Sequence, residues 1–399
     1  MTAGSPMASK HVLILGGTGR VGSSTAASLL RTHPDIRISL GSRGMESHGA
    51  AVLRRPELRD CPWIGCDARD AHSLDKALSS SGVDLVVHAA GPFQGDAACS
   101  PLEAAIRHGV PYMDVCDDAT YAQRAKRLEP AARAAGVPAL STAGIFPGLS
   151  NVMAADMVTR HAGGRAPARV LYSYYTAGTG GAGPTILETT FLLAGQDVVV
   201  YRDGKQLTVP AISNRRPVDF GTTIGTKSVY LYNLPETHTG RAVFQAPSIS
   251  ARFGIDPGVF NVAMILVARL LPKRWLEDRA LVQTLAKLTA PLVALVDCFA
   301  GDRVGMLIEV ELEDGKVLAS LYVHDHLAEG MGAAVAAFAA SMLKNPPPPG
   351  VWYPEEACSV PDRSAFFSAA SEGARTFQLG RAAWEIGSTP RRFGMGIYL

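Results

Sequence analysis

The residues with the clearest chemical use lie near the start of the chain. Gly16-Gly17-Thr18-Gly19-Arg20-Val21-Gly22 follow the apolar run Val12-Leu13-Ile14-Leu15 and precede a helix-forming stretch, Ser23 to Leu30. Glycines at 16, 19 and 22 let the chain turn sharply, let the main chain approach a pyrophosphate and let helix pack on strand. The helix N-terminus behind them offers unpaired N–H donors and positive potential to phosphate. This spacing assigns Gly16, Thr18, Gly19, Arg20, Val21 and Gly22 to a dinucleotide. The second strand ends Leu40-Gly41-Ser42-Arg43, where an NAD site wants a carboxylate for the ribose hydroxyls. A carboxylate would repel a 2′-phosphate, whereas the planar fork of Arg43 grips one and the Ser42 hydroxyl donates to it. The expected coenzyme is therefore NADP (NADPH), the alternative being that Arg43 is a solvated loop charge. Asp67, after the third strand, either accepts from the adenine amino group or caps the next helix.

A second group of residues could serve the reacting end of such a coenzyme. Ala89, Ala90, Gly91, Pro92 and Phe93 follow the fourth strand, where small residues allow close main-chain approach to a ligand above the sheet. His88 beside them reads as a hydrogen-bonded structural residue. Asp117 is the first candidate for catalysis, stabilising a cationic intermediate or shuttling a proton, or else it is a second cap beside Asp118. A Tyr-x-x-x-Lys pair is missing: Tyr121 has Ala125 at the fourth place and Lys126 one residue late. His324 and His326 share a strand face but lack a third ligand nearby, so no metal is expected. Tyr172, Tyr174 and Tyr175 precede a glycine-rich turn, Gly178 to Gly183, read either as a substrate loop or as packing.

The elements that must position these groups follow from pattern and punctuation. From His11 to about Ser150, short β-branched runs alternate with helical stretches, with strands expected at 11–15, 36–40, 62–66, 83–88, 111–115 and 138–142. Ser100-Pro101-Leu102-Glu103 reads as a helix start capped by Ser100. From Arg169 the strands lengthen, at 169–176, 198–201, 206–210, 228–232, 304–312 and 316–324, with turns at Asp203-Gly204 and Asp314-Gly315. Helices near 184–194, 258–270 and 276–296 cover one face of that sheet. The expected fold class is α/β, with a parallel-sheet domain over 1–150 and an α+β domain with a mostly antiparallel sheet over 151–344. The tail 345–399, opened by Pro346 to Pro349, returns to the first domain.

Composition agrees with a globular chain. Of 399 residues, 47% are hydrophobic and 19% charged, which excludes a disordered chain. Thirty-eight basic against 36 acidic residues leave +2, which gives no case for a nucleic-acid surface. The six cysteines form no C-x-x-C pair and read as reduced thiols. No apolar run reaches the ~18 residues of a spanning helix, and no secretory signal is read. A cytoplasmic location is expected, or an organelle stroma or matrix where a targeting peptide has been removed. Pro257 to Val296 joins apolar helices to Arg269, Lys273, Arg274 and Trp275, which suits packing at a dimer interface or peripheral membrane contact.

GGTGRVG, AAGPF, SPLEAAIRHGVPYMDVCDD and TAGIFPGLSN together resemble the saccharopine dehydrogenase family, in particular its saccharopine reductase-like branch. The resemblance extends to GTGGAGPTILETTFLLAG and PPPPGVWYPEE. It implies a Rossmann domain binding NADP, a second domain holding a small-molecule substrate over the nicotinamide, and a homodimer. It also implies an oxidoreductase moving hydride at a C–N bond of an imine or secondary amine, in an amino-acid or amine conjugate. Carried over by position, Cys116, Asp117 and Gly144 face the nicotinamide crevice. The alternative is a non-catalytic NADP-binding scaffold or sensor.

Overall fold

The computed structural model describes residues 10–179 and 184–386. Its first sheet grows from β1 (His11–Leu15), β2 (Arg37–Ser42), β3 (Trp63–Gly65), β4 (Leu85–His88), β5 (Tyr112–Asp114) and β6 (Pro138–Leu140). Between them run α1 (Arg20–Thr32), α2 (Met45–Arg54), α3 (Ala71–Ser81), α4 (Ser100–His108), α5 (Ala119–Arg127) and α6 (Glu129–Ala134). All pairs are parallel, in the order β6-β5-β4-β1-β2-β3. Helices on both faces bury every residue of β1, so the strand is apolar throughout and does not alternate. Val12 and Ile14 enter one core, Leu13 and Leu15 the other.

Helix ends follow local chemistry. Asp70 accepts from the amides of His72 and Ser73 at the start of α3, and Asp118 from that of Tyr121 at the start of α5. The expected cap of α4 is displaced by one residue: Ser100 is already helical, and Cys99 holds the cap position without a side-chain bond. The backbone of α4 closes on Gly109 in the left-handed conformation, φ +67°.

The central helix α7 (Leu149–His161) carries the chain to a second sheet. This comprises β7 (Arg169–Ala177), β8 (Val198–Arg202), β9 (Lys205–Val209), β10 (Ser213–Asp219), β11 (Thr226–Leu231), β12 (Ser248–Asp256), β13 (Val304–Glu311) and β14 (Val317–His324). Its helices are α8 (Pro184–Ala194), α9 (Pro235–Phe244), α10 (Val259–Leu270), α11 (Lys273–Glu277), α12 (Arg279–Ala300) and α13 (Leu327–Lys344). The order β10-β11-β12-β7-β13-β14 is antiparallel except for β12 on β7, which run parallel over nine residues. Asp203 and Gly204 both have positive φ in the tight β8–β9 turn.

The last segment is β15 (Gly350–Trp352), α14 (Arg363–Ala370) and β16 (Thr376–Ala382). It divides between the sheets: β15 pairs parallel with β6, whereas β16 pairs antiparallel with β14. Helix α13, grouped above with the second domain, packs on α1, with Gly332 against the Ser24 main chain. Arg55 bonds to both Ser24 and Glu329 across this contact. At 18 residues α13 is long and apolar enough to cross a membrane, and 61% of it is buried inside the protein. One core runs from the first sheet through α7 into the second. On α10 a row of apolar side chains, Val259, Val262, Leu266 and Leu270, is exposed, as is Trp275 beyond it.

Candidate coenzyme cleft and adjoining pocket

The carboxyl ends of β1, β2, β3 and β4 open on a cleft of about 610 Å³ lined by Gly16, Thr18, Gly19, Arg20 and Val21 of the first loop. Close packing dictates part of that loop. A Cβ on Gly22 would lie 2.4 Å from the Gly16 carbonyl oxygen, so the loop and α1 meet only because position 22 has none. Gly22 thus shapes the loop from beneath and does not line the cleft. Gly19 is different: its φ is −73°, and a Cβ would meet only one oxygen, at 3.2 Å. What its bare α-carbon leaves open is the cleft itself. Gly19 is the N-cap of α1 without a side-chain cap bond, so the first-turn amides keep their donors toward that space.

The β2 end supplies Ser42 and Arg43, and the first turn of α2 supplies Ser47. Ser42 Oγ receives Trp63 Nε1 at 2.9 Å and shares a hydrogen bond with Ser47 Oγ, also 2.9 Å. Arg43 is exposed, and no hydrogen bond or ion pair ties its side chain to another described residue. Asp67 lines the cleft and accepts from the Arg69 amide at 3.0 Å; the cap of α3 is Asp70 and not Asp67. Ala89, Ala90 and Gly91 form the far wall with His88. Burial drives the His88 pKa down to about 3, its ring packs edge-on to Phe93 at 4.9 Å, and Nδ1 faces the Ala90 amide. It is a neutral structural ring.

Val21, Ala89 and Gly91 also border a second, apolar cavity of about 160 Å³. Pro92, Phe93, Asp117 and Gly144 line this one, with Phe146 and Pro147 from the loop after β6. The second domain closes it with Ile186, Leu193, Tyr232, Leu234 and Phe253, while Leu327 and Met331 come from α13. Phe146 stacks on Tyr174 at 4.7 Å, which fixes that wall. Tyr174 in turn donates to Glu236 at 2.7 Å, so this tyrosine serves packing and an internal bond. The turn proposed as a substrate loop lies outside the described residues at 180–183.

The three aspartates at and just after the end of β5 divide the work. Asp114 is fully buried and accepts from the Cys116 and Thr142 amides and the Ser141 hydroxyl, tying β5 to the loop after β6. Asp118 caps α5. Asp117 alone faces the apolar cavity and caps no helix; Gln94 Nε2 donates to its Oδ1 at 3.0 Å. Burial pushes its pKa up to about 6, the Asp118 charge adds to this, and the Gln94 amide holds it back. Cys116 does not reach the crevice. Its side chain is fully buried in the core under α4 and α5, and its thiol sits 3.3 Å from the Asp118 carbonyl, because successive residues leaving β5 point to opposite sides.

Several cleft residues carry no sequence motif. Arg69 and Arg279, the latter at the head of α12, both bond to Asp96 and to the Pro92 carbonyl. They brace the wall between cleft and cavity. Gln94 was visible only as the residue after the AAGPF run. The geometry fits NADP: bare first-turn amides for the diphosphate, an unpaired Arg43 for a 2′-phosphate, and small main-chain segments leading to a cavity with one carboxyl. NADP bound there would be held by the first loop, Ser42 and Arg43.

Residues 12–140 match the family model described as the saccharopine dehydrogenase NADP binding domain. Comparison of the sequence with curated proteins finds no match. Among solved structures, apo saccharopine dehydrogenase (L-Glu forming) from Saccharomyces cerevisiae superposes with a TM-score of 0.61 at 15% identity, covering 93% of this chain and 98% of that one. A betaketoacyl-[ACP] reductase from Bacteroides thetaiotaomicron aligns over 33% of this chain and 74% of its own, at 16% identity and a TM-score of 0.27, too low to carry an argument. Residues 12–140 thus form an NADP-binding domain of the saccharopine dehydrogenase type, and the chain as a whole has the fold of saccharopine dehydrogenase.

Proposed function

We propose that the chain exchanges hydride at the carbon of a C–N bond, reducing an imine to a secondary amine or running the reverse reaction. The observation that carries this is Asp117, the one carboxyl among the described residues lining a largely apolar cavity that continues from the coenzyme cleft. Bound NADPH supplies the hydride. Asp117, its pKa raised to about 6, gives its proton to the imine nitrogen and remains as a carboxylate beside the iminium cation. The C=N π bond is lost, a C–H and an N–H bond form, and Asp117 recovers its proton from solvent. Gln94 orients the carboxyl, and the apolar walls exclude water from the cation–carboxylate pair, which strengthens it.

An imine needs less acid help than a ketone because its protonated form already attracts hydride, so a single carboxyl suffices. The test is NADPH oxidation, followed at its absorbance band, with a panel of imines and of amine–carbonyl mixtures. Turnover that falls ~10²-fold or more in Asp117→Asn is expected. Tight NADPH binding with no turnover across the panel would favour the non-catalytic sensor or scaffold.

A further inference from the structure

We propose that the substrate is a hydrocarbon-substituted imine, or the matching amine, that carries no carboxylate where it enters the cavity. This rests on the reading of that cavity as the place of hydride exchange and narrows it to a substrate class. The first argument is charge. No lysine, arginine or histidine is among the described residues lining the cavity, and its one formal charge is the acid of Asp117. A carboxylate moved there would lose its water with no cation to replace it, and would face a second carboxyl.

The second argument is where the candidate arginines point. Arg252 neighbours Phe253 on β12, but strand alternation turns it to the opposite face, where it lines a groove with Arg216 and Glu309. Arg241 donates to the Gln245 and Ala246 carbonyls at the end of α9. Arg303 is paired with Asp325 and donates to the Thr223 carbonyl. Arg69 and Arg279 are held by Asp96 and the Pro92 carbonyl on the coenzyme side. None of these reaches the cavity.

The third argument is surface and size. Ile186, Leu193, Leu234, Phe253 and Met331 offer only carbon or sulfur, and the Thr190 hydroxyl is committed to the Ile186 carbonyl at 2.7 Å. Thr189 and Tyr232 add neutral hydroxyls, which can bond to a carboxylate but do not balance its charge. A cavity near 160 Å³ matches one small hydrocarbon ring. An uncharged imine enters such a space without the cost of desolvating a charge and acquires its positive charge only beside Asp117.

The test uses two matched pairs on the full chain. With NADPH, 2-methyl-1-pyrroline is compared with 1-pyrroline-2-carboxylate as substrate. With the protein saturated in NADP+, 2-methylpyrrolidine is compared with proline by calorimetry. The carboxylate-free member is expected to lead by roughly tenfold or more in kcat/KM and in Kd. Met331→Arg, at a half-buried position, should move the binding ratio toward the carboxylate at least ~tenfold; Ile186→Lys serves the same purpose if that variant does not fold. Equal or tighter binding of proline, or no saturable binding of 2-methylpyrrolidine, overturns the assignment. Reduction of both imines with the acid faster also overturns it while leaving the C–N reading intact. Selective binding of 2-methylpyrrolidine without NADPH oxidation by either imine would instead sustain the assignment and remove the hydride-exchange reading.

Discussion

In the proposed reading two side chains carry coenzyme choice and chemistry, Arg43 and Asp117. Arg43 stands at the cleft without a partner among the described residues, so replacing it with alanine removes a charge-assisted contact and disturbs nothing else. We expect Arg43→Ala to weaken NADPH by roughly 10–150-fold, from about 1.5–3 kcal/mol, and to leave NADH unchanged in a fluorescence titration. Asp117 gives a pH signature. Since it must be protonated to donate, kcat/KM for reduction should fall tenfold per pH unit above about 6, and Asp117→Asn should lack that limb. An unchanged profile in the variant would assign the limb elsewhere. At this scale the glycine spacing singles out residues that do line the cleft, because phosphate binding restricts residue type at fixed spacing. It could not sort the run Asp114-Val115-Cys116-Asp117-Asp118, since which carboxyl is a tie, an acid or a cap depends on how the chain leaves β5. The positional carry-over from the family resemblance places Cys116 at the crevice for want of that information, whereas the fold turns it inward.

Among elements, the N-terminus of α1 is the feature on which the cleft depends. Two glycines there have separable jobs. Gly22→Ala drives a methyl into the Gly16 carbonyl and should cost about 1–3 kcal/mol of stability, read as a lowered Tm. Gly19→Ala fits its backbone angle, so Tm should hold while NADPH binding weakens roughly tenfold or more, the methyl occupying the phosphate side. Six strands of the first sheet were legible because buried parallel strands are apolar runs ended by turns. In the second sheet β10 was missed, since Arg215, Arg216 and Pro217 hide an exposed, bulged edge strand. β12 lies outside the expected strands although its sequence alternates without a break, apolar at Ile249, Ala251, Phe253 and Ile255 with Ser250, Arg252 and Gly254 between them. β15 and β16 are short or half-buried edges whose sheet is chosen by tertiary contact alone.

For the molecule as a whole, two sheets are locked by α7, α13 and a tail that visits both. At this junction Glu236 bonds to Tyr174, and Glu355 receives the Asn151 amide at 2.9 Å. Burial raises both carboxyls from 4.5 to about 7. The folded chain therefore binds more protons than the unfolded one between these values, so stability falls as pH rises from 4.5 to 7 and levels off above. Glu236→Gln should flatten that slope in Tm measured against pH; a slope unchanged in the variant would contradict it. The meeting of cleft and cavity at this junction is likewise invisible in sequence, because its walls come from segments between residues 21 and 331. The most direct test is to supply NADPH deuterated at the transferable position with 2-methyl-1-pyrroline and analyse the amine by mass spectrometry. One deuterium on the carbon that was double-bonded to nitrogen is the predicted result, and an amine containing only protium there, or bound coenzyme that is never consumed, would contradict the account.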